Sequence, residues 1–140
     1  MSQRSKSREF ALQMLFQWEM GKQELSRIED GFWKIAHAQK PIRDFANQLF
    51  ESAAARAAEL DPIIAAHAQH WRIERIAAID RTILRLALGE MRTSSTPTKV
   101  VINEAVELAK KFSSEEASGF INGILDAAAK SFSEEKPKET

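Results

Sequence analysis

The stretch NEAVELAKKF ends with Lys110, Lys111 and Phe112, two cations and a ring at the close of a predicted helix. Cations in a last turn oppose the negative end of the helix dipole, worth about 0.3–1 kcal/mol each, and Phe112 falls on the apolar stripe. That is a structural account of all three. The same residues suit a nucleic acid, with ammonium groups for phosphates and a ring for a base. In the following helix Phe120 lies at the edge of the apolar face beside Gly123 and Ala127, and Asn122 on the outer face carries an amide able to read a base edge. Both readings stand on the residues alone.

The other end of the chain offers related groups. Arg4, Lys6 and Arg8 occur in the first eight residues without an acid, a small cationic arm able to hold phosphate without sequence preference. Phe16 lies nearly opposite the Phe10–Met14–Trp18 stripe, beside Leu12, Gln13 and Met20. An outward ring there can stack an unpaired base, worth about 1–3 kcal/mol per base. Alternatively, the helix is covered on both sides and Phe16 and Leu12 serve a second core contact. Arg81, Arg85 and Arg92 form a third group on one stripe, opposite Ile76, Ile79, Ile83 and Leu86. They make either an edge for phosphate or carboxylate, or a solvated face paired with Glu74 or Asp80.

Catalytic groupings find no support. His67 and His70 are three apart, and His37 is remote, so no third ligand completes a metal site. Cysteine is absent, which removes disulfides and thiolates together. Neither a glycine-rich phosphate loop nor a nucleophile elbow is present. The expectation is a protein that is not an enzyme and has no metal or cofactor. Twenty basic and twenty acidic residues cancel, so nucleic-acid contact must come from local clustering. No apolar run approaches the roughly 20 residues of a membrane span, and the first residues lack a signal peptide's apolar core. A cytoplasmic protein is expected.

Periodicity places these residues on helices throughout. The first runs from about Ser5 to Met20, with Phe10, Ala11, Met14, Leu15 and Trp18 inward and Gly21 as its stop. A second spans Leu25 to Gln39, with Ile28, Phe32, Ile35 and Ala36 inward. A long rod from Pro41 carries Ile42, Phe45, Leu49, Ala53 and Leu60. Asp61 and Pro62 suit the start of another helix and mark a subdomain break near residue 61. Ile73 to Met91 forms the next. After a loop at RTSSTPTK, one helix turns Val101, Ile102, Ala105, Leu108, Ala109 and Phe112 inward. In the last, Ser113 and Glu116 have capping-box spacing, and Ala117, Phe120, Ile121, Ile124, Leu125, Ala128 and Phe132 face the core. Residues 131–140 are charged and expected to be unstructured.

The segments RSKSREFALQMLFQWEM, IDRTILRLALGEM and KVVINEAVELAKKFSSEEASGFINGILDAAAK resemble the NusB family of transcription antitermination factors, from about Arg4 to Lys130. The resemblance implies an all-α domain over residues 1–130, two small helical bundles of about seven helices packed together. It implies binding of the boxA element in nascent ribosomal RNA leaders, with the small-subunit ribosomal protein NusE, in the RNA polymerase antitermination complex. It places Arg4, Lys6, Arg8, Phe16, Phe112 and Phe120, with Lys110 and Lys111, at the RNA face, to which the wheel adds Gln13 and Asn122. Phe16 stands where the family usually has tyrosine, so stacking is kept and a phenolic hydrogen bond is lost. Glu116, near phosphates, is expected to moderate affinity. Asp80, Arg81 and Arg85 are the candidate NusE surface. The alternative is a helical adaptor that pairs two copies through Phe16 and Leu12, giving a homodimer when free of RNA.

Overall fold

The computed structural model describes residues 2–68 and 75–135, and every regular element among them is an α-helix. Seven are present: α1 (Gln3–Gly21), α2 (Leu25–Ile35), α3 (Lys40–Ala55), α4 (Ala57–His67), α5 (Ala78–Thr93), α6 (Thr98–Phe112) and α7 (Glu115–Glu135). Helix α5 is the shared wall. It packs against α1, α3, α4, α6 and α7. Its Ile83, Leu84 and Leu88 are fully buried, and one apolar cluster runs from Leu15 and Phe50 through α5 to Ile121 and Leu125.

The basic N-terminal segment is helix rather than arm. Ser2 caps α1, its hydroxyl accepting the Ser5 N–H at 3.1 Å. At the other end Gly21 is the last helical residue, and Lys22 takes the left-handed conformation (φ 56°), its N–H donating to the Trp18 carbonyl. Leu12 is 1% exposed, so on its side of α1 the second core contact is the reading that holds. Helices α2, α3, α5 and α6 all contact α1, so little of its circumference is left free.

Helix α2 stops four residues before the expected Gln39, and Ile35, expected inward, is 84% exposed. It docks instead through Phe32 and Trp33, which meet Phe10 edge-on, and through a Trp33 Nε1–H to Asn47 Oδ1 bond of 2.8 Å. The residues that follow turn the chain towards α3, whose first turn holds Pro41, where no N–H is required.

The expected rod breaks at Arg56, and α4 then continues through Asp61 and Pro62. Asp61 does not cap a helix; it accepts two hydrogen bonds from Arg85. Helix α5 starts at Ala78 rather than near residue 73, with residues 75–77 outside it; Ile73 itself and His70 lie outside the description. Helix α7 extends through Glu135, beyond the expected end of order at residue 130. Phe132 accounts for this: it is buried, with the Arg92 guanidinium 3.9 Å from its ring centre. Residues 136–140 of the expected unstructured tail lie outside the description. The cap of α7 is Ser114, whose hydroxyl accepts the Ala117 N–H at 3.0 Å, not the Ser113–Glu116 pair. Spacing alone could not decide between adjacent serines.

Candidate nucleic-acid interface

Helices α1 and α6 meet along a groove of about 550 Å³ that includes Ser5, Glu9, Glu104, Glu107 and Lys111. The tie across it is the Lys111 ammonium, which donates to Glu9 Oε1. Next to that tie on α1, Gln13 is exposed and donates from Nε2 to the Glu9 carbonyl at 3.3 Å. Phe16, half-buried, follows one turn later, roughly 20° from Glu9 around the helix. On α6, Phe112 is 37% exposed, with the Lys111 ammonium 5.6 Å from its ring centre. It was expected inward, but as the last residue of its helix it has no following turn to cover it. Lys110 is exposed, 3.8 Å from Glu107. The fold thus connects Gln13 and Lys111 through Glu9, with Phe112 beside Lys111, and Phe16 lies further along the same side of α1.

Arg8 does not belong to that surface. It is 3% exposed, and its Nε and Nη2 donate to the two carboxylate oxygens of Glu90 at 2.9 and 2.6 Å, with Glu104 3.5 Å from Nη1. Burial works against its charge, yet the Glu90 hydrogen bond and the charges of Glu90 and Glu104 outweigh it and raise its pKa. The sequence position suggested a free cation; the three-dimensional carboxylates make it a core ion pair. Lys6 is exposed, its ammonium 5.8 Å from the Phe10 ring centre. Arg4 is exposed too, but stacks at 3.8 Å on Phe45 of α3, roughly 140° around α1 from Glu9. It borders a second cleft, with Gln48 and the Thr93–Pro97 loop.

On α7, Phe120 is half-buried and Asn122 exposed, but two helical steps set them roughly 160° apart, so they do not share a face. Glu116 is exposed in the first turn and borders the same cleft as Phe120. Of the candidate partner residues, Asp80 is 8% exposed. Arg85 is held inside by Asp61 (2.6 Å from Nε) and Glu19 (2.8 Å from Nη1). The arginine stripe is a carboxylate-binding edge, but its carboxylates are the protein's own. Arg81 is half-buried. Glu9, which joins the two ends of the chain, was not legible in the sequence, because its partner lies 102 residues away.

The described residues form an all-helical fold that carries rings, ammonium groups and amides on its helix surfaces. The pattern of the NusB family matches residues 5–130. A transcription antitermination protein NusB of Koribacter versatilis is 49% identical, over 98% of this chain and 95% of its own length. The fold is similar to a crystal structure of the antitermination factors NusB and NusE in complex with double-stranded RNA (TM-score 0.82, 28% identity, 94% of this chain and 98% of that one). It is also similar to a chain in a crystal structure of a plectonemic RNA supercoil (TM-score 0.85, 27% identity, 97% and 100%). The chain belongs to the NusB family, whose members are non-enzymatic transcription antitermination factors. Among the described residues, no helix is long and apolar enough to cross a membrane.

Proposed function

We propose that this protein binds the boxA element of nascent ribosomal RNA leaders together with NusE, and in that form joins elongating RNA polymerase to suppress termination. The observation that carries the reading is the junction of α1 and α6, where Lys111 is tied to Glu9 beside Gln13 and Phe112 stays exposed next to Lys111. Core packing has no use for an exposed ring flanked by cations. Single-stranded RNA has, because its unstacked bases lie against aromatic faces while cations neutralise the phosphates. The similarity to a NusB–NusE assembly holding RNA supports both partners.

The mechanism has no chemical step. Lys6, Lys110 and Lys111 are exposed cations of α1 and α6, and Arg4 adds a fourth at the second cleft. Phe16, Phe112 and Phe120 supply rings and Gln13 supplies an amide for base edges, while Asn122, on the side of α7 away from Phe120, is left out of the surface. Glu116 lowers affinity by repelling phosphates. The seam of the adaptor alternative loses Leu12, which is buried within its own chain.

Titration of labelled boxA RNA, with and without NusE, tests the proposal. Replacing Phe16 or Phe112 with alanine is expected to weaken binding by about 1–3 kcal/mol each. With about four phosphate contacts, log affinity should fall against log salt with a slope near −2.8, at about −0.7 per contact. Wild-type affinity in Phe16→Ala removes that ring from the site, and a slope near zero sinks the electrostatic part altogether.

A further inference from the structure

Glu9 is out of place among the cations of α1 and α6. It is 8% exposed, and its carboxylate accepts from the Lys111 ammonium across the groove. An acid on a phosphate-binding surface repels the ligand, so charge alone argues against it. Nor does the docking of α1 on α6 require it. The two helices are already joined by the Ser5 hydroxyl, which donates to Glu104 Oε1 at 2.6 Å, and by Arg8 Nη1, 3.5 Å from the same oxygen. The Lys111 side chain is 55% exposed, and ion pairs open to water are worth about 0–1 kcal/mol.

What the bridge does fix is the direction of a long, flexible side chain. An ammonium carries three N–H donors. Glu9 Oε1 takes one, and the exposure of Lys111 leaves the others open to a second acceptor. The same ammonium lies 5.6 Å from the centre of the Phe112 ring. A carboxylate on α1 thus sets where a cation sits beside a ring at the end of α6. A free lysine loses rotamer freedom when it engages a phosphate; one held beforehand has lost it already. We propose that Glu9 is a positioning residue for RNA, holding Lys111 so that its ammonium bridges the carboxylate and a backbone phosphate. This deepens the RNA reading and rests on it. The opposite role, a carboxylate that competes with RNA for Lys111, predicts an effect of opposite sign.

The test titrates boxA RNA, in the presence of NusE, against wild type, Glu9→Ala, Glu107→Ala, Lys111→Ala and the Glu9→Ala/Lys111→Ala double variant, with folding checked by thermal melting. Glu107, an exposed acid of the same groove, reports the loss of a negative charge alone. The Gln13 bond to Glu9 uses the main-chain carbonyl and survives the substitution. Glu9→Ala should bind about fivefold more weakly although it has lost an acid, while Glu107→Ala binds at least as tightly as wild type. In the Lys111→Ala background, Glu9→Ala should cause no further weakening. Weakening of equal size in both backgrounds makes Glu9 merely structural and overturns the proposal. Binding by Glu9→Ala as tight as wild type or tighter also overturns it, and leaves the RNA reading intact. If Glu9→Ala does not fold, Glu9→Asp, one methylene shorter, takes its place in the same comparisons, with a loss of about twofold expected. If wild type does not bind boxA RNA, the RNA reading falls and takes this one with it.

Discussion

Lys6 and Arg8 stand two positions apart on α1 and meet opposite fates. Lys6 reaches solvent, whereas Arg8 is sealed against Glu90 with both carboxylate oxygens engaged. Removing one partner of a buried pair strands the other charge, at a cost of about 3–5 kcal/mol. Arg8→Ala should therefore lower unfolding stability by that amount in urea titration, while Lys6→Ala stays within about 0.5 kcal/mol. If Arg8→Ala is as stable as wild type, the core ion pair is not what holds α1 to α5. A second group of charges sets a pH dependence. Burial, the hydrogen bond with Glu51 and the charges of Glu51 and Asp30 push Glu29 up to about 8 from an ordinary value of 4.5. Between those values the folded chain keeps a proton that the unfolded chain releases, so this contribution is fully present below about 4.5 and is lost as pH rises through about 8. Glu29→Gln should raise Tm relative to wild type at pH 8 and have little effect at pH 4.5. A constant difference across that range contradicts the assignment.

Helices were legible where apolar spacing ran unbroken, as in α5, α6 and α7. Their ends were less so. Nothing in the spacing from Ile42 to Leu60 foretells a break at Arg56, because the apolar residues on both sides still face one core. Ile35 fits the α2 stripe yet lies outside, since Phe32 and Trp33 one turn earlier already complete the contact with Phe10. Phe112 failed in the opposite direction: a wheel assigns a direction to a residue but cannot say whether a neighbour is there to cover it. The packing of α5 on α3 yields a prediction of its own. A Cβ at Gly89 would lie 3.1 Å from Ala53 Cα and 3.4 Å from Ala53 N, and backbone cannot step aside as a side chain can. Overpacking of about 1–3 kcal/mol opposes a helix-propensity gain of about 1 kcal/mol. With backbone as the obstacle, Gly89→Ala should lose about 1–2 kcal/mol in urea unfolding, and a stabilised variant would show that the two helices separate easily.

Across the whole molecule, equal numbers of acids and bases conceal an uneven distribution. Arginines at 8 and 85 are consumed by internal carboxylates, while exposed cations remain near the start of α1 and the end of α6. The sequence showed which residue types were available, and the resemblance showed which of them to gather. Which cations were already committed depended on partners 24 to 96 positions away, beyond any local pattern. The bridge from Glu9 to Lys111 has a consequence for how this surface comes into being. Because its halves lie 102 residues apart in the polypeptide, no nascent fragment that lacks α6 can display it. Until α6 has been synthesised and folded back onto α1, Glu9 has no ammonium to meet, so a half-made chain is poorly equipped to seize a transcript before its own birth is complete.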